Sequence, residues 1–226
     1  MQSIKDLKAY LEYLSHLGLF EVPLDDCLKR FLSDKEPLGE DLDSIRRRLE
    51  ECKKCSLHRV RKHPVWGDGE FKKGLMLITE YPDREEDFYS RPFVGEVGRL
   101  LERMLLAIGL KREDFFITHA VKCKTPGGRP PDQEEISSCS YYLFKQIKLL
   151  KPKLVLAMGF TPPKVLLNEI RSFSNLRGKV FELKGEVKVL FTYHPAYVLK
   201  NPGIKRLVWE DLQKFRKLYE EVVTAN

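Results

Sequence analysis

The chain has 226 residues, enough for one α/β domain with an appended segment. Hydrophobic residues make up 42% of it, so it can bury a sizeable core, and no apolar run approaches the length of a membrane span, which excludes a membrane protein. The net charge of +7 favours a polyanionic partner, although Lys/Glu-rich surfaces are also common in thermophile proteins.

The segment from about Ser3 to Lys35 has the apolar spacing of two short amphipathic helices, followed by a linker at residues 35–39. It carries no recognisable site chemistry. We therefore predict an N-terminal helical extension over residues 1–41 that acts as a cap or docks a partner. The first residues lack the basic-then-apolar layout of a signal peptide, so we expect a cytoplasmic protein.

From residue 42 onwards, apolar strand patterns alternate with helical patterns. A helix is predicted from Leu42 to Glu51, another from Val97, a third capped by Asp132, and a fourth from about Lys205 to Val223. Buried strands are predicted at residues 75–78, 115–121, 154–158 and 189–193, with a hairpin over residues 179–189. The alternation predicts a three-layer α/β/α domain over residues 42–226 with a central, mostly parallel four-stranded sheet.

The stretch from Leu75 to Ile108 is where a site is expected. Its strand ends in the turn T-E-Y-P-D at residues 79–83, which is followed by an acidic segment predicted to be mobile and by R-P-F-V-G at residues 91–95. Ligands of parallel α/β sheets bind at the carboxyl ends of the strands. Glu80 and Phe93 are therefore candidate site residues.

Four of the five cysteines have spacings that suggest a metal site or cluster. They are Cys52, Cys55, Cys123 and Cys139. Zinc usually takes two close cysteine pairs, and only one pair here is close. Wide, uneven spacing is compatible with an iron–sulfur cluster. The third alternative is disulfides of a hyperthermophile or unrelated buried thiols. Cys27 is predicted to be a small core residue of the extension.

From about residue 42 to the C-terminus, the chain resembles the iron–sulfur (family 4) uracil-DNA glycosylases. The resemblance rests on C-x-x-C-x-L at 52–57, G-x-G at 67–69, E-x-P at 80–82, R-P-F-V-G at 91–95, V-K-C at 121–123, the cysteine at 139 and T-Y-H-P-A-Y at 192–197. It implies a four-iron four-sulfur cluster held by the four cysteines. It also implies a DNA glycosylase that hydrolyses the N-glycosidic bond of a deaminated base, above all uracil, in base excision repair.

The resemblance assigns roles to three residues of the predicted site. Phe93 matches the aromatic residue that stacks on the flipped base. His194 matches the catalytic histidine that donates a hydrogen bond to the uracil carbonyl, where negative charge develops as the bond breaks. Glu80 matches the catalytic acidic residue, which can orient water or stabilise the cationic sugar.

The segment over residues 196–206 matches the family's loop that enters the DNA minor groove. Its apolar residues can act as a wedge between bases, and its cations can meet phosphates, as can the basic loop over residues 59–62. The named candidates for DNA contact are Tyr197, Leu199, Lys200, Lys205 and Arg206.

The base site departs from the family pattern. T-E-Y-P-D at 79–83 replaces G-E-(A/G)-P-G, and His119 replaces an asparagine. An amide offers a donor and an acceptor side by side for uracil, whereas a neutral imidazole carries them on different nitrogens. Tyr81 and His119 are therefore predicted to contact the base and to alter its recognition. Asp83 adds a carboxylate.

Two alternatives remain open beside a uracil glycosylase. One is a glycosylase-like protein with a different base specificity, and the other is a non-catalytic iron–sulfur protein that binds DNA. For a glycosylase the expected partner is DNA containing a damaged base, and for the non-catalytic alternative it is DNA or a repair partner bound through the N-terminal helices. A monomer is expected, with the N-terminal helices available to a repair or replication partner.

Overall fold

The computed structural model describes residues 40–167, 172–183 and 187–224. These residues lie within one compact unit, Pro37–Asn226. The two predicted N-terminal helices, the linker and Cys27 lie outside the described residues, so the extension over residues 1–41 stays a prediction.

Five strands form one sheet in the order β2-β1-β3-β5-β4. Their bounds are β1 Leu75–Thr79, β2 Phe115–His119, β3 Leu154–Met158, β4 Val180–Leu183 and β5 Val187–Thr192. The first four in this order pair in parallel, and β4 pairs antiparallel with β5 as the predicted hairpin. The sheet therefore contains the four predicted parallel strands and, in addition, an antiparallel strand at its edge.

Eight α-helices of the described residues surround the sheet. They are α1 Leu42–Glu50, α2 Arg84–Tyr89, α3 Gly95–Leu106, α4 Gln133–Leu150, α5 Thr161–Leu166, α6 Phe173–Leu176, α7 Pro195–Lys200 and α8 Lys205–Tyr219. A π-helical turn, Glu220–Thr224, continues α8. Within the part of the chain that the structure describes, no helix is both long and apolar enough to span a bilayer.

The core lies in two layers, one on each face of the sheet, because alternate strand residues point to opposite faces. On one face, Met76 and Ile78 of β1 join side chains of α1, α4 and α5. On the other, Leu75 and Leu77 join side chains of α3, α7 and α8. Strands β1, β2 and β3 are buried at every position, as expected for a parallel sheet covered on both sides. The predicted α/β/α architecture is confirmed.

The acidic segment after Pro82 is a helix, α2, and the prediction of a mobile segment was wrong. Asp83 is its N-cap: Oδ1 accepts a hydrogen bond from the Glu86 backbone N–H at 2.8 Å, and Glu86 Oε2 accepts one from the Asp83 N–H at 2.9 Å. This D-x-x-E capping box is a sequence signal that predicts a helix start. It also turns Glu86 inward, where the residue is 7% exposed.

Candidate active site and cysteine pocket

The carboxyl ends of three parallel strands bring the predicted base-site residues to one edge of the sheet. Glu80 directly follows β1, His119 ends β2, and His194 lies two residues after β5. The parallel register sets Thr79 beside His119 and joins the end of β3 to the end of β5. We call the group formed by Glu80, Phe93, His119 and His194 the base pocket.

The His194 ring lies stacked beside the Phe93 ring. Their centroids are 5.4 Å apart and their planes differ by 16°. His194 is also the N-cap of α7, and its Nδ1 accepts a hydrogen bond from the Ala196 N–H at 3.1 Å. Burial lowers the pKa of His194, so the ring is neutral near pH 7. Because Nδ1 is an acceptor, the proton is on Nε2, which is the donor that a developing oxyanion requires.

Phe93 is fixed by its backbone. Its φ of 52° lies in the left-handed region, which is strained for a bulky residue. The Phe93 N–H donates to Glu86 Oε1 at 2.6 Å, and its carbonyl accepts from Arg112 Nη1 at 2.9 Å. A Cβ on Gly98 of α3 would stand 2.1 Å from that carbonyl oxygen, so only glycine permits the approach. These contacts fix the backbone at Phe93 and therefore the direction in which its ring points.

The Glu80 carboxylate is anchored at the start of α5. Its Oε1 accepts hydrogen bonds from the Phe160 N–H at 2.8 Å, the Thr161 N–H at 3.2 Å and the Thr161 hydroxyl at 3.3 Å. A Cβ on Gly159 would lie 2.4 Å from Glu80 Cγ, so a glycine is needed for this packing. All three hydrogen bonds are to Oε1, so they fix the orientation of the carboxylate and with it the direction in which Oε2 points.

His119 is completely buried and bonds to Glu86. The distance from His119 Nε2 to Glu86 Oε2 is 3.2 Å. Burial alone would raise the pKa of Glu86, but the His119 ring and hydrogen bonds from the Asp83 and Phe93 N–H groups lower it to about 2. The carboxylate therefore accepts, and Nε2 carries the proton. The other ring nitrogen, Nδ1, is buried and has no hydrogen-bond partner among the described residues.

Of the other three departures from the family pattern, Thr79 has a buried hydroxyl without a partner among the described residues, whereas Tyr81 and Asp83 have defined contacts. The Tyr81 hydroxyl donates to the Gly128 carbonyl at 3.2 Å, and its ring packs against the core layer of α1 and α4. Asp83 caps α2, as described above. A contact of Tyr81 with the base stays a prediction.

The four cysteines predicted to act together line one pocket, here called the cysteine pocket. They come from the turn after α1, the segment that directly follows β2 and the first half of α4. Cys52 and Cys55 are partly exposed, Cys123 and Cys139 are buried, and all four are free. In the described residues, no group of three or more His, Cys, Asp or Glu side chains is placed to coordinate a single metal ion.

Nitrogen donors point at two of the sulfurs. Arg61 Nη1 lies 3.0 Å from Cys123 Sγ, and the Lys122 N–H lies 3.1 Å from Cys139 Sγ. Arg61 Nη2 also donates to the Cys52 carbonyl at 2.8 Å. Such N–H groups around sulfur ligands are typical of iron–sulfur sites. Sequence reasoning placed Arg61 in a DNA-binding loop, because nothing local distinguishes it from the exposed Arg59.

The predicted DNA-contact segment lies at the surface beside the base pocket, because α7 starts directly after His194. Tyr197 is 37% and Leu199 36% exposed. Lys200 and Lys205 are exposed, and Arg206 Nε pairs with Glu210 Oε1 at 3.2 Å. Their contact with DNA stays a prediction.

Comparison with known proteins agrees with these features. A model of the uracil DNA glycosylase superfamily matches residues 66–213. A type-4 uracil-DNA glycosylase of Pyrobaculum aerophilum is 38% identical over 182 residues, which cover 77% of this chain and 93% of the relative. The type-4 enzyme of Archaeoglobus fulgidus is 37% identical, covering 79% and 94%, and that of Thermotoga maritima is 34% identical, covering 80% and 96%. The chain therefore belongs to the uracil-DNA glycosylase superfamily.

Proposed function

We propose that this protein is a DNA glycosylase that hydrolyses the N-glycosidic bond of uracil in DNA, as the first step of base excision repair. The observation that carries the proposal is the neutral His194, whose Nδ1 accepts from the Ala196 N–H and whose Nε2–H is free to donate beside the Phe93 ring. The names of the type-4 relatives support the same activity.

The reaction needs a base extruded from the helix and two kinds of charge stabilisation. Phe93 offers a ring face for stacking. As the bond between the sugar C1′ and the base nitrogen breaks, the electron pair goes to the base, and the His194 Nε2–H donates to the carbonyl oxygen that gains charge. Glu80, with Oε1 held by α5, presents Oε2 to the cationic sugar or to the attacking water. The water oxygen bonds to C1′, and the proton that it loses ends on the departed base anion, so the products are the abasic sugar and neutral uracil.

His119 is proposed to distinguish deaminated bases from cytosine. Its Nε2 donates to Glu86, which leaves Nδ1 as an acceptor. Uracil presents a ring N–H at its N3 position, whereas cytosine presents a lone pair there. Of the two bases, only uracil can therefore donate a hydrogen bond to His119 Nδ1. Hypoxanthine and xanthine also carry a ring N–H. The unpartnered Nδ1 therefore favours a second candidate, a glycosylase that accepts several deaminated bases.

The four cysteines are proposed to hold a four-iron four-sulfur cluster. The donor set fits, because four free sulfurs line one pocket and N–H groups from Arg61 and Lys122 point at two of them. When bound, the cluster supplies a cross-link among the turn after α1, the segment after β2 and α4. None of the hydrolytic steps above passes through it.

Excision under single-turnover conditions tests the function. Anaerobically purified protein is incubated with single- and double-stranded oligonucleotides carrying uracil, hypoxanthine or xanthine, followed by alkaline cleavage. We expect release of uracil and a fall of about 100- to 1,000-fold for His194→Ala, which removes the donor. His63→Ala, at an exposed histidine, is the matched control. Failure of iron-loaded protein to release any base would favour the non-catalytic DNA-binding alternative.

A further inference from the structure

Four aromatic rings cluster next to the base pocket, and we call them the aromatic platform. They are Phe160, Phe173, Tyr193 and Tyr197. Phe160 lies 4.8 Å from Phe173 and 5.3 Å from Tyr197, between ring centroids. Tyr193 lies 5.0 Å from Phe173 and stacks on Tyr197 at 5.4 Å with 16° between the planes. The rings come from three separate segments, since Tyr193 and Tyr197 belong to one stretch at the start of α7, so the fold assembles the platform.

The platform faces water. Phe160 is 39% and Tyr197 37% exposed, and neither Phe173 nor Tyr193 is fully buried. Exposure of adjoining aromatic rings is unfavourable unless a partner covers them, so a contiguous patch of this kind marks a binding surface. Phe93, the stacking residue of the base pocket, is 3% exposed and has no part in the platform.

The platform is joined to the base pocket through the backbone. The Phe160 N–H donates to Glu80 Oε1 at 2.8 Å. Tyr193 directly precedes His194, and the Tyr197 N–H donates to the His194 carbonyl at 2.9 Å. A DNA strand whose damaged base reaches Glu80 and His194 must therefore pass close to these rings.

The charges beside the platform suit a nucleic acid. Lys164 on α5, one turn after Phe160, is exposed, as are Lys200 at the end of α7 and Lys205 at the start of α8. Cations at the edge of an aromatic surface are the combination with which proteins hold unpaired strands, because the cations meet phosphates while the rings stack on bases.

We propose that the aromatic platform stacks an unpaired base neighbouring the damaged nucleotide, forming a second base site outside the pocket of Phe93. The proposal rests on the proposed function, since it takes DNA as the substrate. A base in a single strand is not held by a complementary strand and can turn a face to the platform, whereas a paired neighbour must stay within the duplex stack. The platform therefore favours single-stranded substrate.

Fluorescence of 2-aminopurine tests the stacking. The probe base is placed next to a non-hydrolysable 2′-fluorouridine in a single-stranded oligonucleotide and titrated with the cluster-loaded full chain. Stacking on the platform should quench the probe. Phe160→Ala keeps the backbone N–H to Glu80 and removes the ring, so we expect loss of the quench and an about tenfold higher Kd. Phe160→Tyr, which keeps a ring, should restore both.

Two controls separate stacking from a general effect on folding or charge. Trp209→Ala removes another exposed aromatic ring, 43% exposed on α8 and outside the platform, and should leave the quench intact. Phe160→Leu keeps apolar volume but has no flat face, so it should behave as Phe160→Ala. With an abasic site in place of the neighbouring base, the wild type and Phe160→Ala should bind equally.

If Phe160→Ala binds the oligonucleotide with the wild-type Kd and the wild-type quench, the proposal that the platform stacks a base is wrong. It is also wrong if the loss of affinity is equal on the abasic oligonucleotide, because no base is there to stack. The readout needs no cleavage, so its outcome is independent of catalysis. If the protein quenches the probe but releases no base, the proposed function is wrong and the platform is supported. If the wild type excises uracil but Phe160→Ala binds the oligonucleotide unchanged, the proposed function is supported and the platform is wrong.

Discussion

The cysteine pocket and the base pocket belong to the same domain but keep the family pattern to different degrees. All four cysteines of the pattern are present and line one pocket. In and beside the base pocket, four positions have changed. Three of the new residues form hydrogen bonds, whereas the Thr79 hydroxyl is buried without a partner among the described residues. Tyr81 donates to Gly128, Asp83 caps α2, and His119 bonds to Glu86. A ligand set that binds one group has no substitute for a lost sulfur, whereas a polar pocket tolerates exchange when each buried group finds a partner.

The largest effect is expected from a substitution in the cysteine pocket. Cys139→Ser should lose iron and sulfide and lower the midpoint of thermal unfolding by more than about 10 °C, because the cross-link between α4 and the turn after α1 is lost. Metal analysis, sulfide analysis and calorimetry of anaerobically purified protein measure this. Cys27→Ser, at the cysteine outside the predicted ligand set, is the control and should retain iron. Stoichiometric zinc without sulfide in iron-supplied wild type would contradict the cluster.

The next effect tests the buried partner of His119. The folded pKa of Glu86, about 2, lies below its ordinary value of 4.5, so its charge stabilises the folded state above about pH 4.5. That contribution, about 3 kcal/mol, is lost as the pH falls through 2. Glu86→Gln should therefore lower the free energy of unfolding near pH 7 and flatten its dependence on pH in this window.

Urea unfolding at several pH values measures this effect. Glu85→Gln, one residue away and exposed, is the matched control and should leave the pH dependence unchanged. Equal slopes for wild type and Glu86→Gln would show that the charge on the Glu86 carboxylate does not stabilise the fold.

A smaller effect is expected from restoring the family amide. His119→Asn should raise uracil excision about tenfold, which corresponds to about 1.4 kcal/mol of transition-state stabilisation, and should lower excision of hypoxanthine relative to uracil. Single-turnover rates on both substrates measure the change, with hypoxanthine as the internal control. If His119→Asn slows uracil release instead, the imidazole is a working part of uracil recognition in this pocket.

The smallest effect concerns the N-cap of α2. Asp83→Ala should cost about 1 kcal/mol of unfolding free energy, and Asp83→Gly only a few tenths, because glycine is also an acceptable N-cap. Arg84→Ala, at the next and exposed position, is the control and should stay within about 0.5 kcal/mol. These values would show that aspartate at position 83 and the family's glycine are both acceptable N-caps of α2. Equal losses for alanine and glycine would contradict this.

The sequence was sufficient for features that are local. The buried strands follow from short apolar runs, and the capping box at Asp132 marks the start of α4. Cysteine spacing left three alternatives open for the cysteine site, and only the family resemblance singled out an iron–sulfur cluster. The residues of the base pocket likewise came from the motifs of that resemblance. The helix α2 was missed although its capping box is local, because the acidic composition was taken as a sign of mobility.

The remaining features depend on contacts between distant residues. His119 and Glu86 are 33 positions apart, and Arg61 reaches Cys123 across 62. Phe160 and Phe173 look like ordinary core residues in the sequence, and only the packing of α5, α6 and α7 brings them to the surface together. Periodicity and spacing carry no information on such pairs, which arise from tertiary packing.

The backbone around Phe93 has a consequence for protein engineering. Its N–H and carbonyl are both held by buried side chains, Glu86 and Arg112, and Gly98 closes over it without contributing a Cβ. None of these contacts uses the Phe93 ring. The backbone conformation at position 93 is thus fixed by contacts that no change of its side chain removes, whereas the buried ring itself packs on His194. A library for new base preferences should therefore vary position 93 among flat rings of similar size, which keep this packing while the loop keeps its conformation.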